Sequence, residues 1–385
     1  MKLILPFLLC ASIAPVFAAP KPAKVNVAGV DVSGLDSTAM QRRLRRELGK
    51  RLDNKVLLSD GRRSIWRRRR DLGTELDLGW MTARARSGQK FVPLRLSVNQ
   101  STLQVALRRL GKYFDALPQN ARIGLVQGRM KIVPEQAGRS LNLGAAVPRV
   151  KQQIESNAAT KRLVLPVRTT PPNRTRSDLK GITGVLSSFS TRFNPGNVKR
   201  TTNMKVAIAS INGTLVPAGK LFSLNQTVGE RTQKRGYRTA IIFQNGYKVP
   251  GIGAGVSQVT GTLFNAALLA GLPIAEYRTH SRPVTYLPLG HDATVAWGSF
   301  DMKWKNSTTA PIFISYKIRG NQVTATLFGR RVAGQKVNLN VVSKTLGERR
   351  ITAQLYRTIR RNGKVVKKEK IGTSNYNWKV GAWEE

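Results

Sequence analysis

Apolar residues recur at helical spacing in some stretches and alternate in others, and the two periods divide the chain. Met40, Leu44 and Leu48 are four apart and predict a basic helix capped by Asp36 or Ser37, after a short strand at 25–32. Leu103, Leu107, Leu110 and Phe114 share one face of a helix that starts at Asn99 or Ser101 and is ended by Pro118. Ile123 and Leu125 alternate, as do Met130 and Ile132, around Gln127-Gly128-Arg129, which reads as a hairpin. A second helix carries Val147, Val150 and Ile154, and 163–167 reads as a closing strand. Beyond a polar, proline-bearing stretch the pattern changes. Val259, Leu263, Phe264, Ala267 and Leu268 lie on the inward face of an apolar helix that stops at Gly271-Leu272-Pro273. The segments 312–318 and 323–327 alternate around Arg319-Gly320-Asn321, and Asn362-Gly363 marks a further hairpin.

These elements predict a multidomain α+β protein, with a mixed helix and antiparallel-strand N-terminal region, a central α+β domain and a β-rich C-terminal extension. The boundaries expected are a basic region at 19–93, an α+β domain at 94–170, a linker at 171–178, the central domain at 179–330 and the extension at 331–385. Residues 1–18 read as a signal peptide: Lys2, an apolar run, then small residues before Ala19-Pro20. The expected location is therefore exported: periplasmic, wall-associated or secreted.

Charge sharpens the choice of partner. Lys plus Arg number 65 against 20 Asp plus Glu, a formal net charge of +45. Candidate partners are peptidoglycan and anionic wall polymers, with nucleic acid or an anionic membrane surface reachable through charge; no obligate protein partner is implied. A generally basic, solvated surface accounts equally well for most individual cations. Arg62 to Arg70 embed Trp66, which fits either polyanion binding or a solvated strand with Trp66 packed inward. The single cysteine, Cys10, lies in the expected signal peptide, which excludes disulfides and cysteine-based zinc sites from the remainder.

Candidate chemistry gathers between 225 and 292. Glycines 251, 253 and 255 precede a helix whose first turn holds Ser257 and Gln258, so backbone N–H groups there favour an anion. Ser257 sits where a nucleophile would be exposed, and where a helix cap would also sit. Both histidines, His280 and His291, fall within 12 residues, next to Asp292. Three readings stay open: Ser257, His280 and Asp292 as nucleophile, base and orienter; His280 and His291 with Asp292 or Glu276 around a metal; or structural hydrogen bonding. No cofactor or resident metal is assigned. Asn225 is placed at a ligand or a turn, Arg231 at a carboxylate or an internal acid, and Trp297 and Trp304 at a sugar or in the core.

The ordered blocks resemble the VanW family of vancomycin-resistance clusters. They are Asn203 in Thr-Thr-Asn-Met, 212–225, Val228-Gly229-Glu230-Arg231-Thr232, Arg235-Gly236-Tyr237, 253–260, Leu263-Phe264-Asn265-Ala266-Ala267, His280-Ser281 and Gly290-His291-Asp292-Ala293. Residues 94–168 resemble the peptidoglycan-binding domain that often precedes it. The resemblance implies an envelope protein that binds peptidoglycan or associated polymers, as an accessory in wall integrity or glycopeptide resistance. Asn225, Arg231, Tyr237, Gly255, Gln258 and His291 are the expected ligand-binding residues. The family pattern has glycine at Ala254 and cysteine at Ser257. Serine needs a strong base where a thiolate would not, so the resemblance leaves open whether Ser257, His280 and Asp292 catalyse a change in a wall peptide.

Overall fold

A computed structural model describes residues 24–156, 159–244 and 247–378. The signal-peptide expectation at 1–18 lies outside them. The chain divides into two compact units, one of residues 1–118 with 137–171 and one of 119–136 with 172–385. The hairpin at 119–136, within the span 94–170, thus groups with the second unit.

In the first unit, helix α1 (Ser37–Leu48) starts where the Asp36 carboxylate accepts the Ala39 N–H at 2.8 Å. Its Met40, Leu44 and Leu48 face Met81 and Ala85 of helix α2 (Leu78–Arg86). Helix α3 (Gln100–Phe114), capped by Asn99, and helix α4 (Leu143–Ser156) share a core with Leu72, Leu163 and the strand Lys55–Ser59. That strand pairs in parallel with Arg162–Val164 and antiparallel with Ser64–Arg68. The arginine run is only partly a solvated face. Arg69 is buried and donates to the Thr160 carbonyl at 2.7 Å, while Trp66, expected inward, is 53% exposed because the strand's alternation turns Ile65 and Arg67 toward the protein.

The second unit is built on a four-stranded antiparallel sheet, ordered Gly184–Arg192, Gln322–Gly329, Ile312–Arg319, Leu215–Val216. Helix α5 (Val198–Ile211), the short helix α6 (Leu224–Val228) and helix α7 (Val256–Leu269) belong to the same unit. Helix α7 is buried on nearly every side, as its continuous apolar composition requires. Its polar residues are paired: the Thr262 hydroxyl lies 2.9 Å from that of Thr191, and Tyr316 donates to the Val259 carbonyl at 2.8 Å. The hairpin Arg122–Val126 and Arg129–Val133 sets Ile123 among Leu179, Ile182, Phe313 and Phe328.

The C-terminal extension is a three-stranded antiparallel sheet of Gln335–Gly347, Arg350–Arg361 and Lys364–Asn377. Alternation sends Ala353, Leu355, Arg357, Ile359 and Tyr376 inward and leaves Lys336, Lys344 and Lys368 outside. Arg357, 1% exposed, donates to Glu369 and to the Leu272 carbonyl just past the end of α7.

Candidate ligand-binding cavity

The glycine-bearing segment before α7 builds one wall of a cavity of about 680 Å³. Gly253 and Gly255 have φ of 96° and 92°, a left-handed turn that other residues resist. At Gly255 a Cβ would lie 2.8 Å from Met204 Cγ and 3.0 Å from Arg200 Cγ. The glycine therefore lets α5 approach the start of α7, besides lining the cavity. Gly255 is also the residue that caps α7, so Ser257 stands inside the first turn and not at the cap. The Ser257 hydroxyl is 3.0 Å from Thr294 Oγ1.

Gln258 is 1% exposed and its amide is committed. Its Nε2 donates to Thr191 Oγ1 at 3.0 Å and to the Arg192 carbonyl at 2.7 Å, and its Oε1 accepts from Arg200 Nη2 at 2.7 Å. Its part at the cavity is thus to hold Arg200, whose guanidinium also lies 5.8 Å from the centre of the Tyr286 ring. Burial pulls the Arg200 pKa down and pushes the Tyr286 phenol up, so the phenol stays a neutral donor.

Arg231 lines the same cavity. Both its terminal nitrogens are enclosed and, among the described residues, neither has a hydrogen-bond partner. Burial pulls its pKa down, opposed by the neighbouring Tyr237 and Asp301. A cation enclosed without a partner is destabilising by several kcal/mol in general, so such a group calls for a reason. Among the described residues, Glu230 is the only carboxylate lining the cavity. Ile241, Ile252, Val284, Trp297 and Phe300 supply an apolar side. Trp297 is 51% exposed at this cavity, whereas Trp304 is fully buried and stacked on Phe222 with centroids 5.0 Å apart.

His280 faces the cavity and is held from behind. Asp292 Oδ2 accepts the His280 backbone N–H at 2.7 Å and pairs with ring Nδ1 at 2.8 Å. Burial pushes the Asp292 carboxyl up, but hydrogen bonds from the His280 ring and N–H and from Tyr376 outweigh it and hold the pKa below its ordinary value. Of the suggested nucleophile, base and orienter, the structure joins His280 to Asp292. Ser257 shares the cavity wall, but among the described residues its side-chain partner is Thr294.

The remaining candidates lie elsewhere. His291 Nδ1 meets Asn265 Oδ1 at 2.6 Å, and Asn265 donates to the His291 carbonyl, which ties this loop to α7. Burial lowers the His291 pKa. Glu276 pairs with Lys303 at 2.7 Å. The proposed metal set is therefore dispersed, and no group of three potential ligands gathers among the described residues. Asn225 donates to the Ala296 and Phe300 carbonyls and holds a turn. Tyr237 is fully buried beside Arg231. Sequence reasoning missed Arg200, Tyr286, Thr294 and Tyr376. Arg200 comes from α5, Tyr286 and Thr294 from the long connection after Glu276, and Tyr376 from the last strand, and of the four only Arg200 and Thr294 adjoin blocks that the sequence singled out.

Residues 199–328 match the family model described as "VanW like protein", and 76–161 match that described as "Putative peptidoglycan binding domain". The uncharacterized protein YoaR of Bacillus subtilis is 38% identical over 152 residues, covering 40% of this chain and 50% of the relative. The vancomycin B-type resistance protein VanW of Enterococcus faecalis is 27% identical over 138 residues, covering 34% of this chain and 47% of the relative. The chain spans about half the length of these curated relatives. No solved structure matches. The cavity residues from Arg200 to Phe300 fall inside the first match, and the chain carries a VanW-like domain preceded by a segment of the peptidoglycan-binding type.

Proposed function

We propose that this is an exported, wall-associated protein that binds peptidoglycan, its VanW-like cavity taking a carboxylate-bearing wall peptide. A role as an accessory in wall integrity or glycopeptide resistance fits that reading. The observation that carries it is the enclosed Arg231, whose terminal nitrogens have no partner among the described residues, at a cavity that also holds Arg200 and the start of α7. In a low-dielectric wall such a charge acts through space on an anion without contact. The aliphatic and aromatic side fits short apolar side chains of a peptide. The VanW-like match and the peptidoglycan-type match support the wall as the setting.

The test is co-sedimentation of the signal-free protein with sacculi stripped of anionic polymers, across a salt series, with duplex DNA in parallel. Charge-only association collapses as the Debye length falls to about 3 Å at 1 M salt. Retention on sacculi at high salt with DNA released supports a wall ligand; release of both at the same salt refutes it. Arg231→Gln refines the test. It removes an unpaired buried cation, so stability is expected to rise, while affinity for sacculi falls by about tenfold, the effect of about 1.4 kcal/mol of through-space attraction. Unchanged retention would remove Arg231 from the site.

The His280–Asp292 pair favours a second reading, acyl transfer on wall peptides with Ser257 as nucleophile. It requires the Ser257 hydroxyl to leave Thr294 for His280. Unchanged wall composition in both Ser257→Ala and His280→Ala strains would exclude it.

A further inference from the structure

The C-terminal sheet lies beyond both matched spans, which end at 161 and 328. Its last strand nonetheless reaches, at three points, the segment that brings His280, Tyr286 and Thr294 to the cavity. The Asn377 N–H donates to the Ser281 carbonyl at 2.7 Å. The Gly290 N–H donates to the Tyr376 hydroxyl at 2.8 Å, and that hydroxyl donates to Asp292 Oδ1 at 2.5 Å. One strand thus grips the two ends of the loop that carries both histidines.

The directions of these bonds are forced. The Tyr376 oxygen accepts from Gly290, so its own hydrogen is left for Asp292. Asp292, 1% exposed, is then a carboxylate with its two oxygens assigned: Oδ1 to Tyr376, Oδ2 to His280. A carboxylate only accepts, so ring Nδ1 of His280 must carry a hydrogen, and in the neutral ring Nε2 is left with its lone pair. Without the phenol, the carboxylate is held only by the His280 N–H and ring, and its hold on the Nδ1–H tautomer weakens.

We propose that Tyr376 is a positioning residue of the cavity: it locks Asp292, and so holds His280 as the Nδ1–H tautomer with Nε2 as a hydrogen-bond acceptor for the ligand. The C-terminal sheet is on this view part of the binding site. The complementary ligand group is an N–H or O–H donor, which a peptide amide supplies alongside the carboxylate read by the arginines. This inference rests on the reading of the cavity as a ligand site, but the lock itself is tested without any ligand.

With two histidines in the chain, imidazole nitrogen–proton correlation NMR resolves each ring. At a pH where the imidazole is neutral, the expected wild-type spectrum has His280 protonated at Nδ1 alone. In Tyr376→Phe the His280 ring signals shift toward a tautomer mixture, and its Nδ1 proton exchanges with water about tenfold faster, the effect of losing about 1.4 kcal/mol of restraint. His291, held by Asn265, keeps its Nδ1–H tautomer and reports that the fold is intact. Tyr356→Phe, whose hydroxyl meets Gln354 on the same sheet, leaves His280 unmoved. An unaltered His280 tautomer and exchange rate in Tyr376→Phe overturns the proposal. If that variant does not fold, 3-fluorotyrosine at position 376 keeps the ring and strengthens the donor; a shifted His280 Nδ1 proton sustains the lock and an unshifted one sinks it. Loss of sacculus binding with the lock intact counts against the proposed function alone.

Discussion

Replacing Arg357 by leucine probes how the C-terminal sheet is fastened to α7. The guanidinium donates to Glu369 Oε1 through Nε at 3.0 Å and Nη2 at 2.8 Å, and through Nη1 to the Leu272 carbonyl at 2.7 Å and the Leu268 carbonyl at 3.3 Å. Leucine leaves these partners unequally stranded. Leu268 O keeps the Gly271 N–H at 3.0 Å. Among the described residues, Leu272 O has no second donor, and a buried orphaned acceptor costs about 1–3 kcal/mol. Glu369 keeps Lys367 at 2.9 Å and is partly solvated, so its loss is nearer that of an exposed pair, about 0–1 kcal/mol. Leucine recovers part through apolar burial. The sum is a destabilisation of about 1–3 kcal/mol, read as a fall in the urea midpoint at constant slope. In a double-mutant cycle with Glu369→Leu the two sites couple by about 1 kcal/mol, because two of the four bonds go to the partly solvated Glu369 and the other two, to backbone carbonyls, survive its removal. A loss below about 0.5 kcal/mol for Arg357→Leu would show that the sheet is held by its apolar face, and the argument from the carbonyls would fail.

Two further outcomes are expected. Gly255→Ala meets both a left-handed backbone and a 2.8 Å approach to Met204, so it destabilises by about 2–4 kcal/mol in chemical denaturation and separates α5 from the start of α7; a neutral result refutes the close approach. Asp292 has a folded pKa below its unfolded value near 3.9, so its contribution to stability is full above that value and is lost as pH falls through the folded pKa. The stability gap between wild type and Asp292→Asn, from denaturation at a series of pH values, should accordingly narrow below about pH 4 and stay flat above it.

Much of the fold was legible because it depends on local pattern. Four-residue spacing placed Met40, Leu44 and Leu48 on a buried face, and Leu103, Leu107, Leu110 and Phe114 on another. Alternation placed Ile312–Arg319 and Gln322–Gly329 as a hairpin. Rarity of type found His280 and Asp292, since two histidines and four acids in 179–330 leave few combinations. Other expectations depended on more than pattern. Ser257 reads as a cap until Gly255 is seen to hold that place, and Trp66 and Trp297 read as inward or outward only when their neighbours are known.

By itself, then, the sequence determined the elements, the charge, and the segment where chemistry collects, because helical and strand periods and residue types act over a few positions. The tertiary structure alone decided which groups meet. Arg200 joins Gln258 across 58 residues, and Tyr376 joins Asp292 across 84. Such pairs are set by the packing of α5 on α7 and of a β-sheet on a loop, where side-chain direction and burial choose partners irrespective of separation along the chain. The same packing left the terminal nitrogens of Arg231 enclosed without a partner among the described residues, which no local pattern records.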